Sequence, residues 1–171
     1  MGIGRRVAAE LLGTLVLVLV GCGAAVVGVD AIGGEPGHGR ATGVVVAMAF
    51  GLAMAGLVSA LGGVSGGHLN PAVTVGMYAS GRFPAKEVMP YVLAQTAGGI
   101  FGATLLFGVV MGHPDFVVEN GFAANGFGEL SPSGYGLRGA AIAEAALAFA
   151  VVLVTVASAE VRGGRRARGG R

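Results

Sequence analysis

Tryptophan is absent from this sequence of 171 residues, cysteine occurs once as Cys22, and charged residues amount to only 12%. A single cysteine excludes a disulfide framework and any multi-cysteine metal site. A soluble chain carries about a quarter charged residues, so the shortage of charge argues against a soluble domain. What fills the space is 54% hydrophobic residues and 34 glycines, with a mean hydropathy of +0.77. Glycine at about 7% would give roughly a dozen. Glycine excess can mean disorder, but disorder needs low hydrophobicity and high net charge, and the net charge here is +2. Apolar and glycine-rich together fit membrane helices packed closely through small residues.

Residues 7–29 form an apolar run of 23 residues with one charge, Glu10. At about 1.5 Å per residue it is roughly 34 Å long, enough for a hydrocarbon core of about 30 Å. Residues 42–61 carry no charge, and further apolar runs cover 85–111 and 137–159. All four are expected to be membrane-spanning helices, making 1–159 one transmembrane domain and 160–171 a basic Arg/Gly-rich tail. Gly112 to Gly136 is polar and reads as a loop.

Between the second and third spans, residues 62–80 behave differently. Asn is a favoured helix cap and Pro suits the first helical position, so Asn70-Pro71 predicts a helix over the short apolar stretch that follows. About ten residues cannot cross a bilayer, and the apolar character favours a re-entrant half-helix. Irregular backbone such as 62–69 is tolerated at membrane depth only where it lines a cavity or lies inside protein, which points to a pore.

Arg5, Arg6, Arg82, Lys86 and the five tail arginines fall on one side of a four-span chain, and Arg40 and Arg138 on the other. Nine against two predicts cytoplasmic termini. The basic tail reads as a stop-transfer flank and not as a nucleic-acid site.

Glu144 stands 134 residues after Glu10, each preceded by Ala and followed by an aliphatic run. Carboxylates inside a membrane are expensive and take partners, so matched glutamates predict an internal repeat of three spans plus a half-helix. An odd number of spans inverts the second copy. The offset carries Asn70 to position 204, past residue 171, so the second repeat is expected to be cut off after its first span.

Ser65-Gly66-Gly67-His68-Leu69-Asn70-Pro71-Ala72-Val73-Thr74 resembles the signature of the aquaporin, or major intrinsic protein, family. Glu10, Gln95 with Gly98 and Gly99, and Glu144 stand where that family has them; residues 81–87 and 121–126 resemble its bacterial Z-type water channels. The resemblance spans residues 5–158, four of six spans, and a truncated or frame-shifted gene would account for the tail. It implies an all-α, right-handed helical bundle in a bacterial inner (plasma) membrane and passive water flow without cofactor or metal. It also implies a lipid-embedded homotetramer, with small neutral solutes such as glycerol as the lesser alternative and a non-conducting fragment or assembly partner as the other.

The resemblance further implies that Asn70, with Pro71 and Ala72, presents a side-chain amide to water, and that the carbonyls of Gly66, Gly67, His68 and Leu69 form an acceptor ladder. Glycine allows such backbone exposure, and a helix N-terminus adds a field opposing protons and cations. Phe50 corresponds to the aromatic member of the family's constriction, where Phe indicates water. Glu10, Glu144 and Gln95 would brace the re-entrant loops, and Gly98 with Gly102 would allow close helix packing.

Three decoys are set aside. Gly63-Val64-Ser65-Gly66-Gly67 matches a nucleophile-elbow pattern but lacks the strand–turn–helix context and a His base, so no enzyme is expected. Leu19-Val20-Gly21-Cys22 resembles a lipoprotein cleavage box, yet the apolar run continues past it. Arg5-Arg6 as a twin-arginine signal is weaker still.

Overall fold

The computed structural model describes residues 1–28, 40–114, 122–131 and 134–169. Within them the chain is all-helical. Helix α1 spans Ile3–Gly23 and ends in a π turn at Ala24–Gly28; α2 spans Arg40–Leu61, α3 Pro71–Ala79, α4 Ala85–Val110 and α5 Leu137–Gly169, with one 3₁₀ turn at Gly128–Leu130. Four of these carry stretches long and apolar enough to cross a membrane: Ile3–Val27, Gly43–Leu61, Ala85–Val110 and Leu137–Ala159. Among the described residues this is the all-helical architecture the sequence predicts.

Helix α1 begins four residues before the expected apolar run, because Arg5 and Arg6 are good helix formers and extend the ladder past the hydrophobic boundary. The far end of that expected run, Val29, lies outside the described residues, as does Gly121. Helix α5 likewise continues beyond Ala159 through the arginine-rich segment to Gly169.

Helices α1 and α4 run parallel and form the closest pair. A β-carbon at Gly98 would collide with the Leu11 carbonyl oxygen, and one at Gly102 would lie 2.5 Å from that of Leu15. The two backbones therefore touch, which larger side chains would prevent, and dispersion gained along the seam replaces the hydrophobic drive that lipid does not supply. Helix α2 joins α1 where the Phe50 ring covers Gly21. Helix α3 leans on α5 where Val152 fills the space over Gly76. Beneath α3, Val73, Met77, Phe83 and Tyr91 form a small buried core.

Helix α3 starts where the sequence predicts. Asn70 is extended (φ −156°, ψ 131°), its Oδ1 accepts from Ala72 N at 2.7 Å, and Pro71 occupies the first turn. Its nine residues stop at Ser80-Gly81, where Gly81 takes φ +72° and its amide reaches back to Tyr78 O.

Candidate functional site

The site is organised by one carboxylate. Glu10, on the second turn of α1, is fully buried. Its Oε1 accepts from Ser65 Oγ at 2.5 Å and from His68 N at 3.0 Å; its Oε2 accepts from Leu69 N at 2.6 Å and from Gln95 Nε2 at 2.8 Å. A buried carboxylate without such donors would cost many kcal/mol, and buried loop amides without an acceptor about 1–3 kcal/mol each. Loop and carboxylate thus satisfy one another.

Two polar stripes deliver these contacts. Arg6, Glu10 and Thr14 are spaced by four on α1; Glu87, Tyr91 and Gln95 are spaced by four on α4. Spacing of four places each set on one helix face, and the glycine seam holds the faces in register. Arg6 Nη1 pairs with Glu87 Oε2 at 2.6 Å, and Arg6 Nε donates to Tyr91 Oη at 3.0 Å. Tyr91 in turn donates to Ser65 O at 2.8 Å. Thr14 Oγ1 lies 2.8 Å from Glu10 O and 3.2 Å from Leu69 O. Gln95 Nε2 also donates to Thr74 Oγ1 at 2.9 Å, tying α3 to α4. The His68 ring is wedged between Phe83 and Tyr91, at centroid distances of 4.8 and 5.3 Å, with Nδ1 3.1 Å from Thr74 Oγ1.

The loop's shape follows from left-handed residues. Gly66 (φ +98°) and Gly67 (φ +66°) meet no steric penalty, and a β-carbon on Gly67 would also sit 3.3 Å from Val58 Cα. Leu69 adopts φ +52° at a cost of about 1–2 kcal/mol, held there by its amide bond to Glu10. The result turns the His68 and Leu69 amides inward. No hydrogen bond from any described residue reaches the carbonyl oxygens of Gly66, Gly67 or His68.

Because the Asn70 Oδ1 is used as the cap of α3, its amide NH2 is the end left to point outward, and the residue is exposed. It lines a cleft of about 210 Å³ with Ala72, Val73, Glu144, Leu147 and Val151. Pro71 is half-buried in the first turn of α3. The structure thus gathers Glu10, Gln95 and Gly66–Ala72, while Phe50 stands apart, half-buried against Gly21 and not lining that cleft. Glu144 is exposed and has no hydrogen-bond partner among the described residues. Ser65 is 4% exposed with its hydroxyl committed to Glu10, so this hydroxyl is not a free nucleophile.

Sequence reasoning did not assign Arg6, Thr14, Thr74, Glu87 or Tyr91 to the site. The signal for four of them was present: polar residues at four-residue spacing inside apolar helices, in step with Glu10 on one helix and Gln95 on the other. Among the described residues no group of three or more His, Cys, Asp or Glu side chains is placed to hold a metal.

A protein-family model described as Major intrinsic protein matches residues 1–170. A protein named aquaporin Z from Photorhabdus laumondii subsp. laumondii is 45% identical over 159 residues, covering 92% of this chain and 67% of that relative.

Proposed function

This chain belongs to the major intrinsic protein family, is a multi-pass membrane protein and a channel rather than an enzyme, and from that premise we propose that it carries water passively down an osmotic gradient. One observation carries the reading: the outward-facing amide of Asn70 stands at the positive end of α3, beside three consecutive carbonyls that no described residue engages. Donors at one point and acceptors along a line orient a file of waters, whose oxygens turn toward the amide and whose hydrogens turn toward the carbonyls. The helix-end field acts against cations and protons at that point. Aliphatic side chains such as Val73, Leu147 and Val151 offer no competing hydrogen bonds. Glu10 and Gln95 act as braces and need no cofactor.

Phe50, by its family position, supports water over glycerol. The nine-to-two charge bias supports cytoplasmic termini, the likeness to a bacterial relative supports an inner-membrane location, and homotetrameric assembly is part of the same reading. A second reading, that the chain is a non-conducting assembly partner, is favoured by the exposed carboxylate of Glu144 in the Asn70 cleft, a position suited to donors from another polypeptide segment.

Stopped-flow light scattering on proteoliposomes tests both. Fast shrinkage after a sorbitol step, abolished by Asn70→Asp, is expected, since Asp keeps the capping oxygen and loses the NH2. Rates equal to empty liposomes would refute conduction by this chain and leave the assembly reading. Equal flux in Asn70→Asp would refute the role of the amide. Glycerol entry as rapid as water would refute the selectivity.

A further inference from the structure

We propose that two side-chain hydroxyls, those of Tyr91 and Thr14, close the two ends of the carbonyl ladder and limit it to Gly66, Gly67 and His68. The inference rests on the water-conducting reading and specifies the length of the acceptor track. At one end every polar atom of Ser65 is committed: its amide donates to Leu61 O at 3.0 Å, its hydroxyl donates to Glu10 and accepts from Gly67 N at 3.1 Å, and its carbonyl accepts from Tyr91. The Tyr91 hydroxyl is aimed by its other partner. Arg6 Nε donates to it at 3.0 Å, so its own hydrogen is directed at Ser65 O, and a phenol that accepts from a cation is a stronger donor. Arg6 is fixed in turn by Glu87 and by the faces of Phe83 and Tyr91, at 5.7 and 5.4 Å.

At the other end, the left-handed turn at Leu69 sends its amide to Glu10 and brings its carbonyl to within 3.2 Å of Thr14 Oγ1. The hydroxyl shares one hydrogen between that oxygen and Glu10 O at 2.8 Å, as a three-centre bond. Leu69 and His68 are equally buried, at 1% and 2% exposure, so the hydrogen bond from Thr14 and not burial sets the two carbonyls apart. Between Ser65 and Leu69 lie three carbonyls to which no described residue donates, one fewer than the family resemblance implies. Arg6, Thr14 and Tyr91 are therefore positioning residues: they touch no water in the file and decide which carbonyls it meets.

Water-edited solid-state NMR on the full chain in lipid bilayers tests this. The dipeptides His-Leu and Leu-Asn each occur once, so carbonyl-13C His with 15N Leu reports His68 O, and carbonyl-13C Leu with 15N Asn reports Leu69 O. Polarisation from water should reach the His68 carbonyl several-fold faster than that of Leu69. Thr14→Val should bring Leu69 to the His68 rate, and Thr14→Ser should restore the difference, which a loss of packing alone would not. Ser-Gly occurs three times, so the same reading of Ser65 O uses a Ser80→Ala, Ser133→Ala background, where Tyr91→Phe should convert a slow carbonyl into a fast one. Fast transfer at both His68 and Leu69 in the native chain would overturn the bounded ladder and leave water conduction standing. Slow transfer at both would overturn water conduction itself. An unchanged Ser65 rate in Tyr91→Phe would overturn the tyrosine's part.

Discussion

Replacing Glu10 by Gln alters the chemistry of a single buried atom and almost no volume, so it isolates hydrogen bonding from packing. Each carboxylate oxygen accepts one backbone amide, His68 N on Oε1 and Leu69 N on Oε2. Whichever oxygen becomes NH2, it confronts an N–H with an N–H. That leaves one buried amide unsatisfied, at about 1–3 kcal/mol. The remaining bonds fall from the charge-assisted range of about 1.5–3 kcal/mol to the neutral one of about 0.5–1.5 kcal/mol. Set against this, a neutral amide is cheaper to bury than a carboxylate, which returns part of the loss. A net destabilisation of about 3 kcal/mol results, roughly two powers of ten in the unfolding constant. With no tryptophan for fluorescence, the unfolding midpoint is read by far-UV circular dichroism as the SDS fraction of mixed micelles is raised. Glu144→Gln is the internal comparison. It removes an exposed carboxylate that has no partner among the described residues and should shift stability by no more than about 0.5 kcal/mol. Equal midpoints for Glu10→Gln and the native chain would refute the bracing argument. Equal losses for Glu10→Gln and Glu144→Gln would show that the two glutamates are equivalent here.

Gly98→Ala pushes a β-carbon into the Leu11 carbonyl and should separate α1 from α4 at a cost of about 1–3 kcal/mol or more, while Gly108→Ala, with nothing within 4 Å, should be neutral or slightly stabilising by the same titration. Tyr91→Phe leaves Ser65 O without its donor and should lower stability by about 1–2 kcal/mol; an unaltered midpoint would show that the phenol is idle. The Arg6–Glu87 pair is partly solvated, at 23% and 15% side-chain exposure, so an Arg6→Ala/Glu87→Ala double-mutant cycle should give a coupling of about 0.5–1 kcal/mol that shrinks with added salt. A coupling near zero would mean that Arg6 is held by its aromatic and tyrosine contacts alone.

The four spans were legible because crossing a bilayer is a property of local composition and length: apolar runs of sufficient reach need no knowledge of their neighbours. Helix α3 was legible for an equally local reason, since Asn70 and Pro71 are cap and first turn in consecutive positions. The buried carboxylate could be picked out as needing partners, and Gln95 is one of them. Its other donors, Ser65 and the amides of His68 and Leu69, lie 55–59 residues away and were joined to it only through the family signature.

Glu10 and Glu144 show most sharply where local reading stops. Their flanking residues match, and reasoning from sequence treats them alike. In the structure one is buried under four donors, and the other is exposed and unpartnered among the described residues. The difference lies in what each helix packs against: α1 has the 62–69 loop and α4 on its glutamate face, whereas Glu144 borders a cleft. Phe50 makes the same point, since its position in the chain says nothing of the glycine on α1 that its ring covers.

By itself the sequence determined that four helices among the described residues are long and apolar enough to cross a membrane, that a short capped helix separates the second from the third, and that glycine lines at least one helix face. Each rests on hydropathy, capping or steric size within a few residues. Only the tertiary structure decided that Arg6 and Glu10 meet Glu87, Tyr91 and Gln95, that Thr14 reaches Leu69, and that no described residue donates to three carbonyls of the loop between them. That register depends on the contact of Gly98 and Gly102 with the Leu11 and Leu15 backbone. Hydrogen bonds between groups 55 to 85 residues apart exist only once two backbones lie close enough to align them.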